Sequence, residues 1–183
     1  MADVFDNSII KNFLKNPDCK RIIIPYKGKK LNAPYDWWKL RGSPTMLLRA
    51  FLNEILRKAP PCSLKNSFYR LLGVKIGKDV VIGPGVSLDP LFPELITIED
   101  GAVLGWGCKI HSHEFLIKNL VLGRVFIGKK VLIGAHCKIR MGTKVGDKAT
   151  VSMCSFVNKD VKTGESVGGV PVKEINIKKY YSG

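Results

Sequence analysis

The sequence predicts a mainly β fold: a parallel β-solenoid of stacked hexapeptides, preceded by an α-helical N-terminal segment. Three observations carry the prediction. Aliphatic residues recur at every sixth position from Val121 through Ile127, Ile133, Ile139, Val145, Val151 and Val157. Two shorter runs precede them, Ile76, Ile82 and Leu88, then Ile98, Leu104 and Ile110. The residue after the aliphatic is often glycine (Gly77, Gly83, Gly105, Gly128, Gly134, Gly146), and the fourth after it is small or β-branched. An amphipathic helix repeats every third or fourth residue and a half-buried strand every second, so neither has this period.

Each element follows from that grammar. One large aliphatic and one small residue per face fill a narrow prism, while glycine and turn residues bend the chain at corners where a Cβ would often clash. The small inward positions are Val80, Val86, Ala102, Cys108, Val131, Cys137, Thr143, Ala149, Ser155 and Val161. Three hexapeptides make one coil, so the run from Ile127 to Lys162 accounts for two coils and the earlier runs supply about two more. The expected organisation is a partly helical cap over residues 1–70, the solenoid over 71–175 and a tail over 176–183.

Within the first segment, Leu47, Leu48, Phe51, Leu52, Ile55 and Leu56 fall on one side of a helix entered by Ser43 as N-cap, with Pro44 next, and stopped by Pro60-Pro61. A second short helix starting near Ser63 carries Leu64, Phe68, Leu71 and Leu72. The expected role is to bury these apolar faces on the open first coil, whose strand edges would otherwise invite aggregation. A lid over an acceptor site or a basic membrane-surface anchor is the other reading, because Arg49, Arg57, Lys58 and the Trp37-Trp38 pair accompany the apolar face. The cap is favoured, since an anchor helix should show a larger continuous polar face.

The chain has 183 residues, 45% of them apolar, and a formal charge of +15. Residues 1–70 hold 14 Lys and Arg against 5 Asp and Glu, net +9, and residues 71–183 hold 16 against 10, net +6. Such a potential attracts a polyphosphorylated cofactor or an acidic substrate. The lysines are scattered at outward corners with no recognition helix or stacking ladder, so nucleic acid is not an expected partner. No stretch approaches the roughly 20 apolar residues of a membrane span, and the first residues lack the charge of a secretory signal. A cytoplasmic protein without membrane contact is expected. The five cysteines lack zinc-type spacing, and Cys108 and Cys137 are read as reduced core fillers.

Over about residues 71–175 the repeat resembles the left-handed parallel β-helix of the hexapeptide acyltransferase superfamily. The ending strengthens the likeness: Ser155-Phe156-Val157-Asn158-Lys159-Asp160-Val161, then Val167-Gly168-Gly169-Val170-Pro171-Val172-Lys173. These stretches are similar to the family's closing S-x-V-[TN]-K-D and G-x-P-[AV]-[KR] patterns. The handedness is an implication of this resemblance and not of the period. So are a coenzyme A-dependent O-acyl transfer, with acetyl-CoA as co-substrate and a sugar-like hydroxyl as acceptor, and a homotrimer whose cofactor lies between neighbouring solenoids. By motif position Ala135, Met153, Asn158 and Lys159 would line that groove, and Lys173 would approach the phosphates. Met153 and Leu132 depart from the family pattern, which usually has a small residue and often an aromatic there.

Chemistry is expected where the ladder breaks. The spacing is ten between Leu88 and Ile98 and eleven between Ile110 and Val121, and the two insertions fall one coil apart at the same corner. In Ile110-His111-Ser112-His113-Glu114-Phe115, His113 stands at the place of the histidine in the family's I-x-T-H-D motif, with Ser for Thr and Glu for Asp, which implies that it is the base. Imidazole is the side chain best matched to taking a hydroxyl proton at neutral pH. His111 is the other candidate base. Because His111 follows Ile110 as Asp89 follows Leu88, these two are expected to stack and pair. Glu114 is assigned to the acceptor or to solvent, and His136 to a corner. No metal is expected: γ-class carbonic anhydrases resemble this fold but take three histidines in a spacing that this chain lacks. A catalytically silent scaffold or nucleotide-sugar-binding module is the remaining alternative.

Overall fold

The computed structural model describes residues 4–40 and 43–176, with the side chains of 43–45 outside that description. The expected Ser43 cap and the tail beyond residue 176 therefore lie outside the described residues. Helix α1 (Asn7–Lys15), strand β1 (Arg21–Pro25), a 3₁₀ helix (Ala33–Lys39), α2 (Ser43–Lys58) and α3 (Ser63–Leu71) come first. The first coil then contributes β2 (Lys75–Ile76), β3 (Val81–Ile82) and β4 (Ser87–Leu88). The second contributes β5 (Ile96–Ile98), β6 (Val103–Leu104) and β7 (Lys109–Ile110). An excursion of β8 (His113–Phe115) and β9 (Asn119–Gly123) interrupts the ladder. The third coil is β10 (Val125–Ile127), β11 (Leu132–Ile133) and β12 (Lys138–Ile139), and the fourth is β13 (Lys144–Val145), β14 (Thr150–Val151) and β15 (Phe156–Val157). Strands β16 (Ser166–Gly168) and β17 (Lys173–Glu174) close the chain.

Stacked strands pair in parallel and in register, with Leu88 against Ile110, Ile110 against Ile139 and Ile139 against Val157 on the third face. The expected inward residues are buried on all three faces, except Ile76 of the first coil, which is partly buried. Glycine is needed after the aliphatic for close stacking: a Cβ on Gly105 would stand 2.7 Å from the Ala135 nitrogen, and one on Gly134 2.5 Å from the Met153 nitrogen. The left-handed backbone occurs two residues later, at Asp79, Lys130, His136, Lys148 and Cys154 among others.

Two rungs differ from the sequence reading. Val121 is not on the ladder: it lies in β9, paired with Ile23 of β1 and Glu114 of β8 in an antiparallel three-stranded sheet. The true interval is therefore seventeen, from Ile110 to Ile127. Hydrophobic spacing could not exclude Val121, because an excursion strand with its own buried face supplies an aliphatic by coincidence of register. Val161 was read as a small inward residue of the fourth coil, but it bridges Val145 in parallel and so begins a fifth, incomplete coil that Val167 continues.

The segment before α2 does more than cover an end. Asp6 caps α1 by accepting from the Ser8 and Ile9 amides, and Ile10 and Phe13, one turn apart, are its buried face. At the other end Arg124, just after β9, donates to the Phe13, Asn16 and Cys19 carbonyls, satisfying groups that the helix terminus leaves open. Strand β1 adds to β9. A second core forms between Phe5, Ile10, Phe13, Ile24 and Leu40 of the N-terminal segment and Leu91, Phe92, Leu95, Leu120 and Leu122 of the two insertions. The described residues up to Leu40 thus pack against both insertions.

Helix α3 lies across the first coil with its polar side down. The buried Lys65 ammonium donates to the Ala59, Ile82 and Gly83 carbonyls at 2.9, 3.2 and 3.0 Å. Asn66 donates to Val80 O, and Arg70 to Ile76 O and Gly77 O. An open strand edge carries unpaired main-chain groups, and apolar side chains cannot satisfy them. The expectation that the apolar faces are buried is therefore overturned: Leu47, Leu48, Phe51 and Ile55 of α2 and Leu64, Phe68 and Leu71 of α3 are exposed. From α2, Met46, Asn53 and Leu56 are the buried contacts.

Candidate active site

Both insertions leave the third face at one corner, one coil above the other, as the paired Leu88 and Ile110 require. The first carries Asp89 inward. Its carboxylate is buried and accepts the Leu91 and Phe92 amides on Oδ1 and the Ser112 and His113 amides on Oδ2. It therefore locks both insertions together. His113, at the start of β8, places Nδ1 2.5 Å from Asp89 Oδ2. Phe115 meets the imidazole edge-on at 5.2 Å, and Phe92 stands 6.3 Å away. With Nδ1 engaged by the carboxylate, Nε2 is the nitrogen left to take a proton from a substrate.

The pairing differs from the sequence expectation, which gave Asp89 to His111. The His111 amide stays in the ladder, donating to Ile139 O, and its ring faces outward into the groove. Loss of hydration near neighbouring groups lowers the His111 pKa; Asp89 opposes this and the charges of His113, Lys109 and Lys138 add to it. For Asp89, burial alone would raise the pKa, but attraction to His113, their hydrogen bond and the Ser112 and Leu91 amides outweigh it and hold the carboxyl at about 2.

The sign of the linkage follows. A carboxyl whose folded pKa lies below its ordinary value stabilises the fold above that value, by about 2 kcal/mol here, and loses the contribution as pH falls from about 4 through about 2. Replacing Asp89 by Asn should lower the melting temperature at neutral pH and flatten its decline across that acid window. Parallel melting-versus-pH curves for the two proteins would contradict this.

The His113 ring opens on a groove of about 270 Å³ lined by His111, Glu114, Lys138, Ile139, Arg140, Met141 and Phe156. Glu114 pairs with Arg140 at 2.8 Å, both side chains partly exposed. Arg140 was missed in the sequence. Its signal is position: it follows Ile139 as Asp89 follows Leu88 and His111 follows Ile110, so it belongs to the same corner column. The groove combines Lys138 and the Glu114–Arg140 pair with an apolar wall, a lining suited to a polar, partly apolar ligand.

A hexapeptide-repeat model, described for succinyl-transferase, matches residues 65–90 and 124–159. The chain is 40% identical over 126 residues to "Putative acetyltransferase YvoF" of Bacillus subtilis, covering 68% of this chain and 73% of that protein. The chain belongs to the hexapeptide-repeat acetyltransferases. Solved structures share the fold. One is the hexapeptide-repeat acetyltransferase VCA0836 of Vibrio cholerae complexed with acetyl coenzyme A, with TM-score 0.61 and 18% identity over 73% of this chain and 87% of that one. Another is galactoside acetyltransferase in complex with coenzyme A, with TM-score 0.58 and 17% identity over 73% and 80%. The β-helix of this acetyltransferase is left-handed, as its family requires.

The residues assigned to the cofactor by motif position do not gather in one place on a single acetyltransferase chain. Ala135 and Met153 stack at the corner entering the third face, where the Cys154 amide bonds Ala135 O. Asn158 and Lys159 lie at the corner leaving it, beside Lys20, Arg21 and Asp160. Lys173 is exposed on β17, beyond the fourth coil on the second face, and does not line the His113 groove. His136 holds a left-handed corner backbone and is exposed.

Proposed function

We propose that this acetyltransferase moves an acetyl group from acetyl-CoA to a hydroxyl of a sugar or similar small polar acceptor, with His113 as general base. The observation that carries the reading is the Asp89–His113 pair opening on a groove lined by Lys138, the Glu114–Arg140 pair and an apolar wall. His113 Nε2 takes the hydroxyl proton as the oxygen attacks the thioester carbonyl. The carbon–sulfur bond then breaks, and the same proton is returned to the departing sulfur. Asp89, ionised at neutral pH, holds the tautomer and stabilises the imidazolium. Glu114 and Arg140 are placed to bind the acceptor, and Lys138 to meet an anionic group.

Ala135 and Met153 at one edge of the third face and Asn158 and Lys159 at the other frame a surface that a neighbouring solenoid would close into the cofactor groove, with Lys173 toward the phosphates. We place the enzyme in the cytoplasm as a homotrimer. No helix among the described residues is long and apolar enough to cross a membrane.

Acetyl-CoA at 100 times its Kd should stabilise the protein by about 2.7 kcal/mol. Thiol release should appear with sugar acceptors, and light scattering should give about three times 20.3 kDa. Stabilisation without thiol release across an acceptor panel would favour a silent binding module. A fully active monomer would refute a groove shared between subunits.

A further inference from the structure

We propose that the outward face of α2 and α3 seats the protein on an anionic lipid surface. Both helices lie on the first coil: Asn53 of α2 reaches Ser87, the Arg57 carbonyl of α2 accepts the Gly85 amide, and α3 bonds the coil edge through Lys65, Asn66 and Arg70. Their opposite faces point away from the solenoid. On those faces Leu47, Phe51 and Ile55 recur every four residues along α2, and Leu64, Phe68 and Leu71 form a stripe on α3. Phe51 is 64% exposed and Leu71 81%.

The exposure has a cause within the chain. The coil edge takes the polar side of α3, so the stripe of apolar residues, regular enough for a buried helix, is turned outward with nothing from the described chain over it. A contiguous apolar face of this kind marks an interaction surface.

Charge selects the occupant. Apart from Lys65 and Arg70, which are turned to the coil edge, the two helices carry Arg49, Arg57 and Lys58 against Glu54 alone, net +2 on a chain of +15. A second copy docked face to face would set this basic rim against itself, and like charges across an interface are unfavourable. An anionic bilayer matches both halves of the surface: the apolar side chains enter the headgroup boundary while Arg and Lys meet lipid phosphates. Helix α2, with 16 residues, offers a contact line of about 24 Å.

The test uses the full chain and sedimentation with vesicles of phosphatidylglycerol and phosphatidylcholine, beside vesicles of phosphatidylcholine alone. The expected result is binding to the anionic vesicles only, weakened by salt. The double variant Phe51→Ser/Phe68→Ser should reduce it about tenfold or more. Because both side chains are exposed, the variant should melt within about 3 °C of the parent. Failure to bind anionic vesicles at low salt would overturn the proposal. So would equal binding to neutral vesicles, or a solution mass that falls on making the double variant, which would assign the face to a second copy.

Discussion

Replacing His113 by Ala is expected to lower kcat by about 10²-fold or more while changing acetyl-CoA affinity by less than about threefold. In the proposed reaction the imidazole acts only as the acceptor attacks, so its loss is felt in the transition state and not in cofactor binding. Asp89→Asn should also lower kcat, because an amide cannot supply the charge that stabilises the imidazolium, even though Asn can still bond part of the Ser112 and His113 backbone. His111→Ala should retain most of the activity, since the carboxylate of Asp89 bonds the His113 ring and not that of His111. A thiol-release assay on the three purified variants separates the roles. Near-parent turnover in His113→Ala together with a large loss in His111→Ala would transfer the base to His111.

Ile24→Ala is expected to destabilise the protein by about 2–5 kcal/mol, a fall in melting temperature of about 10 °C. Ile24 is fully buried in β1, opposite Leu120 of β9, at the centre of the second core. Because β9 carries β8, and β8 presents His113, loosening β1 should also reduce activity at temperatures where the solenoid still retains its β signal. The two effects are separable by following thiol release and far-ultraviolet circular dichroism during one thermal ramp. Coincident loss of both, at the parent's melting temperature, would show that β1 is not what holds His113 in place.

Much of the site was legible because the ladder reports its own interruptions. A six-residue period gives each position a face and a height, so the breaks after Leu88 and Ile110 mark one corner; Asp89 was named from its place in that column, and His113 from the family motif that the second break contains. The pairing was not legible. In register, Asp89 stacks under His111, but its carboxylate collects the Ser112 and His113 amides and is thereby carried to the later histidine. That choice depends on the path of a loop that leaves the repeat, where periodicity no longer constrains the chain. Arg140 is the converse case. Its column position was readable, but only its contact with Glu114 gives that position chemistry.

By itself the sequence determined the solenoid, its inward residues and the corner where the two insertions leave it, because a strict repeat forces side chains of fixed size into a prism of fixed width. It also contained the amphipathic stripes of α2 and α3, but not the direction in which they face. Tertiary structure decided that direction, since the first coil offers a main-chain edge whose carbonyls require the donors of Lys65, Asn66 and Arg70, and an apolar stripe has none to give. Tertiary structure also decided that Val121 belongs to an antiparallel excursion and that β1, about a hundred residues away in the chain, completes it. Such pairing rests on long-range burial in the second core, and local pattern carries no record of which distant strand will supply it.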